Sequence, residues 1–488
     1  MNVLGRILIE RIRELEARGN PQADPWRPVF HLAPPVGWLN DPNGLCQWRG
    51  VYHVFFQYSP FDARGGLKVW GHYTSRDLTS WRYEGTPLLP DGPWDCHGVY
   101  SGSACPEGER LHLFYTGNVK LDGDYDYVHD GRLSETLRVS GDGFAFGEKR
   151  PVLRMEDYPD SCTCHVRDPK VWGRHGVYAM ILGARLKGDH GAALLYGSRD
   201  LSHWEYERTV TTEAPFGYMW ECPDLFTLRS PSGPVSILSI SPQGVPREAL
   251  RFQNRYASGY FFSKEFEADP NPDLDPARFI EWDHGFDFYA PQTFEDEGGR
   301  RILIGWAGVP DSEGEYGNPT EGWRHVLTVP RELTWQDGRV LQRPFEELKR
   351  LRDKPLLVGP SGFEVQDRAF DLVLEGIRGE SFELSWEEGF SLLWKEGVFS
   401  LSFLGDAGVG RTVRRVRLEA LRALRLLMDR SVLEIYLNEG EAVMTSRFYP
   451  KFGSSRLRLS GDMEKAAGWT MRPMPVAYPA CSRGVHPH

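Results

Sequence analysis

The chain has 488 residues, enough for two or three domains and a large core. Its formal net charge is −11 with no basic run, which argues against nucleic acid or an anionic membrane as a partner. Apolar residues make up 40% and charged residues 26%, as in an ordinary globular protein. Aromatics reach 13%, a content that suits many β-strands or a site where flat rings stack on sugar faces.

The first predicted element is a helix within residues 1–26. Leu4, Leu8, Ile12 and Leu15 fall on one face, and Gly19 is a good stop. Arg and Glu interrupt the apolar residues too often for a signal-peptide core, and no window approaches a membrane span, so a cytoplasmic protein is expected. The seven cysteines are odd in number and show no framework spacing, so free thiols are expected. Cys162, Cys164 and His165 lack a matching second pair of metal ligands, and no Gly-rich phosphate loop is present. Neither a metal nor an organic cofactor is expected.

From residue 27 to 345 a pattern recurs five times: a polar cluster opens a short strand, a Gly-containing turn follows, and an apolar strand comes next. The segments are 39–57, 100–117, 166–184, 221–241 and 289–307. In addition, "SRDLTSW" at 75–81 returns as "SRDLSHW" at 198–204. Each of the five reads as the first hairpin of a four-stranded sheet. Five such sheets are best closed as a five-bladed β-propeller, which leaves few free edges. The first strand of each sheet would line the axis, and Asp41, Ser101, Asp168 and Glu221 would surround one pocket. Past the propeller, 346–359 reads as a linker with a short helix. Residues 360–488 alternate apolar and polar in the manner of a β-sandwich, with a structural role or a role in dimer contacts. The fold class is therefore all-β.

Several carboxylates, many aromatics and no metal motif fit glycoside hydrolysis, which needs two carboxyl groups flanking the bond in different ionisation states. Asp41, in "GWLNDPNGL", is expected to be held ionised by backbone N–H groups of the turn after it. Glu221, in "GYMWECPDLF", has apolar neighbours that would keep a proton on it. Arg167 is expected to pair with Asp168, leaving it a binder of sugar hydroxyls. Singly, each residue has an ordinary structural reading as a turn residue, a surface pair or a lone acid. At equivalent repeat positions, together, they favour catalysis.

The motifs "WLNDPNG", "RDPKVW" and "ECPDLF", in this order, resemble those of glycoside hydrolase family 32. So do "FFQYSP", "YSGSA", "FDFYAPQTF" and "ILIGWAG", and the resemblance spans about 27–480. It implies cleavage of a terminal, non-reducing β-fructofuranosyl unit with retention. Asp41 would be the nucleophile, Glu221 the acid–base and Asp168 a transition-state stabiliser. Asn40, Gln57, Trp70, Ser101, Arg167, Tyr289 and Trp306 would line the fructose pocket. Retention predicts carboxyls about 5–5.5 Å apart in the Asp41–Glu221 pair.

The substrates expected are sucrose and short fructo-oligosaccharides, with sucrose 6-phosphate as the alternative. The acidic insert at 122–130 would disfavour a phosphorylated glucose if it borders the leaving-group side. Lys68, Arg132, Arg185 and Lys187 are candidate phosphate ligands that also read as surface charges. Two other classes compete: an inverting propeller hydrolase, which needs about 6.5–9.5 Å between carboxyls, and a catalytically inactive sugar-binding propeller. A monomer or a homodimer would serve.

Overall fold

The computed structural model describes residues 2–19, 23–174, 176–263, 266, 274–310, 317–365, 368–387, 389–450 and 456–479. The N-terminal helix runs Val3–Arg18, capped by the Asn2 side chain accepting from Gly5 N and ended at Gly19. Ile12 is fully buried, and Leu8, Ile9 and Leu15 pack against the same core. Leu4, expected on that face, is exposed, and Gly5 takes the buried place in the first turn. Glu16 pins the helix to the body by accepting from Tyr58 OH and Tyr83 OH at 3.1 and 2.7 Å.

Each of the five repeats is the first hairpin of its own antiparallel sheet. The first strands are Gly37–Trp48, Val99–Glu107, Cys162–Arg174, Met219–Leu228 and Tyr289–Glu295. Each packs against the first strand of the next sheet, and the fifth packs against the first, so the ring closes as a propeller. Second strands such as Val51–Ser59 are buried almost throughout, being covered on both faces, while outer strands such as Trp81–Leu88 alternate. The repeated "SRDL" segments both form the turn between third and fourth strands. Asp77 and Asp200 accept backbone N–H groups two and three residues on, as Asx turns do.

One irregularity recurs in every blade. On the first strand, two residues oppose a single residue of the second: Asn40 and Asp41, Tyr100 and Ser101, Asp168 and Pro169, Cys222 and Pro223, Ala290 and Pro291. These are β-bulges, which bend a strand and re-aim its side chains. Proline suits a bulge because no ladder hydrogen bond is demanded there. Three bulge residues, Asp168, Cys222 and Ala290, have φ of 64°, 47° and 48°, a left-handed conformation that costs roughly 1–3 kcal/mol each outside glycine.

Residues expected as a linker hold a 3-10 helix, Glu346–Leu351, and then Arg352–Leu356, which is already an edge strand of the C-terminal sandwich. Two six-stranded sheets face each other there across a core that includes Phe370, Leu372, Phe382, Leu384, Trp386 and Leu426. The chain then returns to the propeller, where Val476–Ala477 pairs with the outer strand of blade 1.

Buried charge joins the two parts. Arg331 of blade 5 donates to Glu434 of the sandwich at 2.7 Å and to Asp283 at 3.2 Å. His31, ahead of blade 1, bridges Asp429 and Glu434 at 2.8 and 2.9 Å. Burial would push His31 down, but its hydrogen bonds to the two carboxylates outweigh this and hold its pKa at about 9. A raised histidine contributes stability that is complete below its unfolded value near 6.5 and is lost as pH rises through 9. Stability should therefore fall between pH 6.5 and 9. His31→Ala should flatten that fall and cost about 3–5 kcal/mol at pH 6.5 in denaturant unfolding, because it removes the cation that two buried carboxylates share. An unchanged pH slope would contradict the assignment.

Candidate active site

The bulges sort the side chains of the axis into levels. Just before the bulge stand Arg167, Glu221 and Tyr289; at its first residue, Asn40, Asp168 and Cys222; at its second, Asp41 and Ser101. Side chains at one level bond across neighbouring blades. Arg167 Nε and Nη2 donate to Glu221 Oε1 at 3.0 and 2.8 Å, and Tyr289 OH donates to Glu221 Oε2 at 2.7 Å. Cys222 N donates to Asp168 Oδ2 at 2.9 Å, and Ser101 Oγ to Asp41 Oδ2 at 2.5 Å.

Asp41 sits in a closed circuit of short polar side chains. Asn40 Nδ2 donates to Asp41 Oδ1 at 3.0 Å and to Gln57 Oε1 at 2.7 Å. Gln57 Nε2 donates to Ser101 Oγ at 2.7 Å, and Ser101 closes the circuit on Asp41. The amide of Asn40 is oriented by Trp38 Nε1 and Lys68 Nζ, which donate to its oxygen at 2.9 and 3.0 Å. This corrects the expectation that a turn holds Asp41. Gly37–Trp48 is a continuous strand, its backbone donors serve the ladder, and side chains take their place. Burial raises the Asp41 pKa, the Ser101 and Asn40 bonds oppose this, and the Glu221 charge adds to it.

The expected pairing of Arg167 with Asp168 is also overturned in part. Arg167 stands level with Glu221 and directs Nε and Nη2 there, while Asp168, at the first residue of the bulge, takes the Cys222 N–H. Burial raises Asp168, the Arg167 charge offsets only part of this, and the Glu221 and Asp41 charges push further, to about 7. Asp168 is thus not held firmly ionised. Glu221, expected among apolar neighbours, instead accepts from Arg167, Tyr289 and Gln243 Nε2, the last at 2.6 Å.

Trp70 has no exposed surface. Its Nε1 donates to Tyr100 O at 3.1 Å, supporting the strand that carries Ser101. Trp306 lies beside Trp38 and His325, with ring centroids 5.9 and 5.1 Å apart, and its buried Nε1 meets no protein acceptor. Lys68, read in the sequence as a surface charge, is half-buried; burial lowers its pKa to about 8, against the pull of Asp41. Gln243, His165 and Cys222 also belong to the site. Cys222 stood beside Glu221 in a quoted motif and His165 was weighed only as a metal ligand, while Gln243 carried no sequence signal. The insert at 122–130 borders this end of the axis, since Tyr127 O lies 3.0 Å from His165 Nε2. Among the described residues, no helix is long and apolar enough to cross a membrane, no group of His, Cys, Asp or Glu is placed to hold a metal ion, and six cysteines are free thiols; Cys481 lies outside them.

A buried acid with a raised pKa weakens the fold as it ionises: the stability is present below the unfolded value near 4 and lost as pH rises through 7. Asp168→Asn should keep the Cys222 bond, flatten the stability–pH slope between about pH 4 and 7, and raise the melting temperature at pH 8 by roughly 2–4 °C. A variant that melts lower than wild type at pH 8 would refute this.

Comparison with known proteins gives a consistent result. Residues 31–344 match the glycosyl hydrolases family 32 N-terminal domain, and residues 403–469 match the family's C-terminal domain. Sucrose-6-phosphate hydrolases of Bacillus subtilis and Klebsiella pneumoniae are each 40% identical, over 96% and 94% of this chain and 98% and 97% of theirs. A solved family 32 β-fructofuranosidase of Bombyx mori superposes with a TM-score of 0.82 at 31% identity, covering 97% of this chain and 99% of its own. A sucrose-6-phosphate hydrolase of Lactobacillus gasseri superposes with a TM-score of 0.80 at 26% identity, covering 95% and 96%. The carboxylates, the propeller that gathers them and these matches agree: the chain belongs to glycoside hydrolase family 32 and is a glycosidase.

Proposed function

We propose that the enzyme is a retaining β-fructofuranosidase that hydrolyses the terminal fructosyl unit of sucrose and short fructo-oligosaccharides. The observation that carries this reading is the convergence of Asp41 and Glu221, from blades 1 and 4, near enough for the Glu221 charge to act on Asp41, with different partners. Asp41 is held by neutral donors, Ser101 and Asn40, which leaves a carboxylate free to attack. Glu221 lies against Arg167, Tyr289 and Gln243, which orient it.

In the first step an Asp41 oxygen bonds to the anomeric carbon of the fructosyl unit. The bond from that carbon to the leaving sugar breaks, and the Glu221 proton goes to the departing oxygen. In the second step water attacks the same carbon, its proton returns to Glu221, and the Asp41 carboxylate is released. Asp168 binds fructose hydroxyls and strengthens its hold as the ring gains positive charge. Asn40, Gln57, Ser101 and Tyr289 position the two carboxyls, Arg167 orients Glu221, Trp70 backs the pocket, and Trp306 offers its unpaired N–H to a sugar hydroxyl. Residues 27–345 form the catalytic unit. The cytoplasm is the working compartment proposed, and a monomer or a homodimer would serve because one chain supplies every named group.

Sucrose 6-phosphate is the second reading. Both 40%-identical relatives are sucrose-6-phosphate hydrolases, and Arg132 and Arg185 stand close to His165 at the rim. The test is kcat/KM on sucrose, sucrose 6-phosphate and 1-kestose, side by side. Comparable values for sucrose and kestose, with the phosphate poorer, support the first reading; a clear preference for the phosphate selects the second. Asp41→Ala should lose at least ~10⁴-fold in kcat on all three, as enzymes do without their nucleophile. Glu221→Gln should lose heavily on sucrose yet keep a near-normal first step on a donor with a nitrophenolate leaving group. Equal losses on both donors would contradict the acid role.

A further inference from the structure

The segment 121–131 joins the second and third strands of blade 2 and folds onto the first strand of blade 3. Leu121 N donates to Gly131 O and closes its base, and Tyr127 OH donates to Leu121 O at 2.6 Å. Cys164 N donates to His129 O at 3.0 Å, and Cys164 Sγ to Asp130 O at 3.4 Å. The loop is thereby fixed to the residue before His165. Its Tyr125 and Val128 side chains are exposed at the rim.

His165 lies between this loop and the active site. Its Nε2 is 3.0 Å from Tyr127 O, and its Nδ1 is 2.8 Å from Arg167 Nη1. Each neighbour has one possible role. A guanidinium can only donate, and a carbonyl oxygen can only accept. The ring therefore carries its proton on Nε2 and offers the Nδ1 lone pair to Arg167. The other two nitrogens of Arg167 go to Glu221 Oε1. A continuous chain runs from the Tyr127 carbonyl through His165 and Arg167 to the Glu221 carboxylate. Protonation of His165 would break it, because an Nδ1–H would face an Nη1–H. The surroundings oppose that protonation: burial lowers the His165 pKa most, and Arg167, Arg132 and Arg185 lower it further, against the Tyr127 carbonyl, to about 3. The nearby carboxylates Asp189 and Asp126 are engaged with Arg185 and His129.

We propose that His165 is a positioning residue for the acid–base carboxylate, acting through Arg167 in a tautomer set by the 121–131 loop. The proposal deepens the reading of Glu221 given above and rests on it. Arginine has torsional freedom, and a fixed acceptor at Nη1 selects the one arrangement in which Nε and Nη2 both meet Glu221 Oε1. Through the loop, the leaving-group side of the pocket is tied to the group that protonates the leaving oxygen. This gives a mechanical reason for Cys164 to stand beside His165, since its N–H and thiol hold the loop whose carbonyl sets the tautomer.

The test uses the full-length enzyme. His165→Ala should lower kcat on sucrose roughly 10- to 100-fold, change KM less than about twofold, and move the alkaline limb of the pH profile upward, because the Arg167 charge is no longer fixed against the acid. A nitrophenyl fructoside, whose leaving group needs no proton, should lose far less in its first step. His165→Asn places an oxygen where Nδ1 stood and should recover most of the loss. Equal losses on both donors, or Asn no better than Ala, would overturn the proposal. Nitrogen-15 NMR of the wild-type ring does not depend on any variant folding. It should show the neutral Nε2–H tautomer at pH 5, and an imidazolium or an Nδ1–H form there would also overturn the proposal. If Glu221→Gln instead retained full sucrose activity, the acid–base reading would fail while the tautomer result stood.

Discussion

The site depends on register. Five first strands carry a bulge at the same height, and each bulge adds one residue that the neighbouring strand does not match. Without it, strict alternation would send neighbouring residues to opposite faces of the blade. With it, consecutive residues such as Asn40 and Asp41, or Arg167 and Asp168, both serve the axis. The levels extend below the site. Lys170 of blade 3 pairs with Asp224 of blade 4 at 3.4 Å, and Gln292 of blade 5 donates to Gly102 O of blade 2 at 3.0 Å, one level past the bulge in each case. The left-handed φ values at Asp168, Cys222 and Ala290 are the strain this arrangement imposes, and the closed ring holds it in place.

Gathering three carboxylates in a buried axis is electrostatically unfavourable, and the structure compensates unevenly. Arg167 and Lys68 each serve a different carboxylate: Arg167 is bound to Glu221, and Lys68 reaches Asp41 through the Asn40 amide. Asp168 receives one backbone donor, and its pKa rises to about 7. At the sandwich the balance is reversed. Arg331, His31, Asp283, Asp429 and Glu434 are wholly buried yet closely matched in bonds. Burial would raise Glu434, but Arg331 and His31 bring it to about 2. The sandwich is thus bonded to blades 4 and 5 and to the segment leading into blade 1, and it braces the ring whose centre is strained and charged.

Much of this was legible in the chain. The five hairpins could be found because each joins a polar cluster, a Gly-containing turn and an apolar strand, and their number implied closure. The three carboxylates Asp41, Asp168 and Glu221 stood out because they recur at similar places in the repeats. The finer geometry was hidden by one residue. Asp41-Pro42 and Asp168-Pro169 look alike in sequence, yet Asp41 is the second residue of its bulge and Asp168 the first. A bulge is set by pairing with another strand, so local sequence cannot give its phase. Arg167 meets Glu221 rather than Asp168 because both directly precede the bulges of neighbouring blades. Lys68 and Gln243 were obscure for a related reason: they reach the site from a loop and from the end of a second strand, where a polar residue has no distinctive neighbourhood.

The central claim is that this register makes Asp41 the nucleophile and Glu221 the group that activates water. The most direct measurement is mass spectrometry of Glu221→Gln mixed with a nitrophenyl fructoside, quenched in acid and digested. Without a base, the second step should stall, and the peptide holding Asp41 should gain the mass of one fructosyl residue while every other peptide is unchanged. A label on a different carboxylate, or turnover that continues with no labelled peptide, would contradict the account.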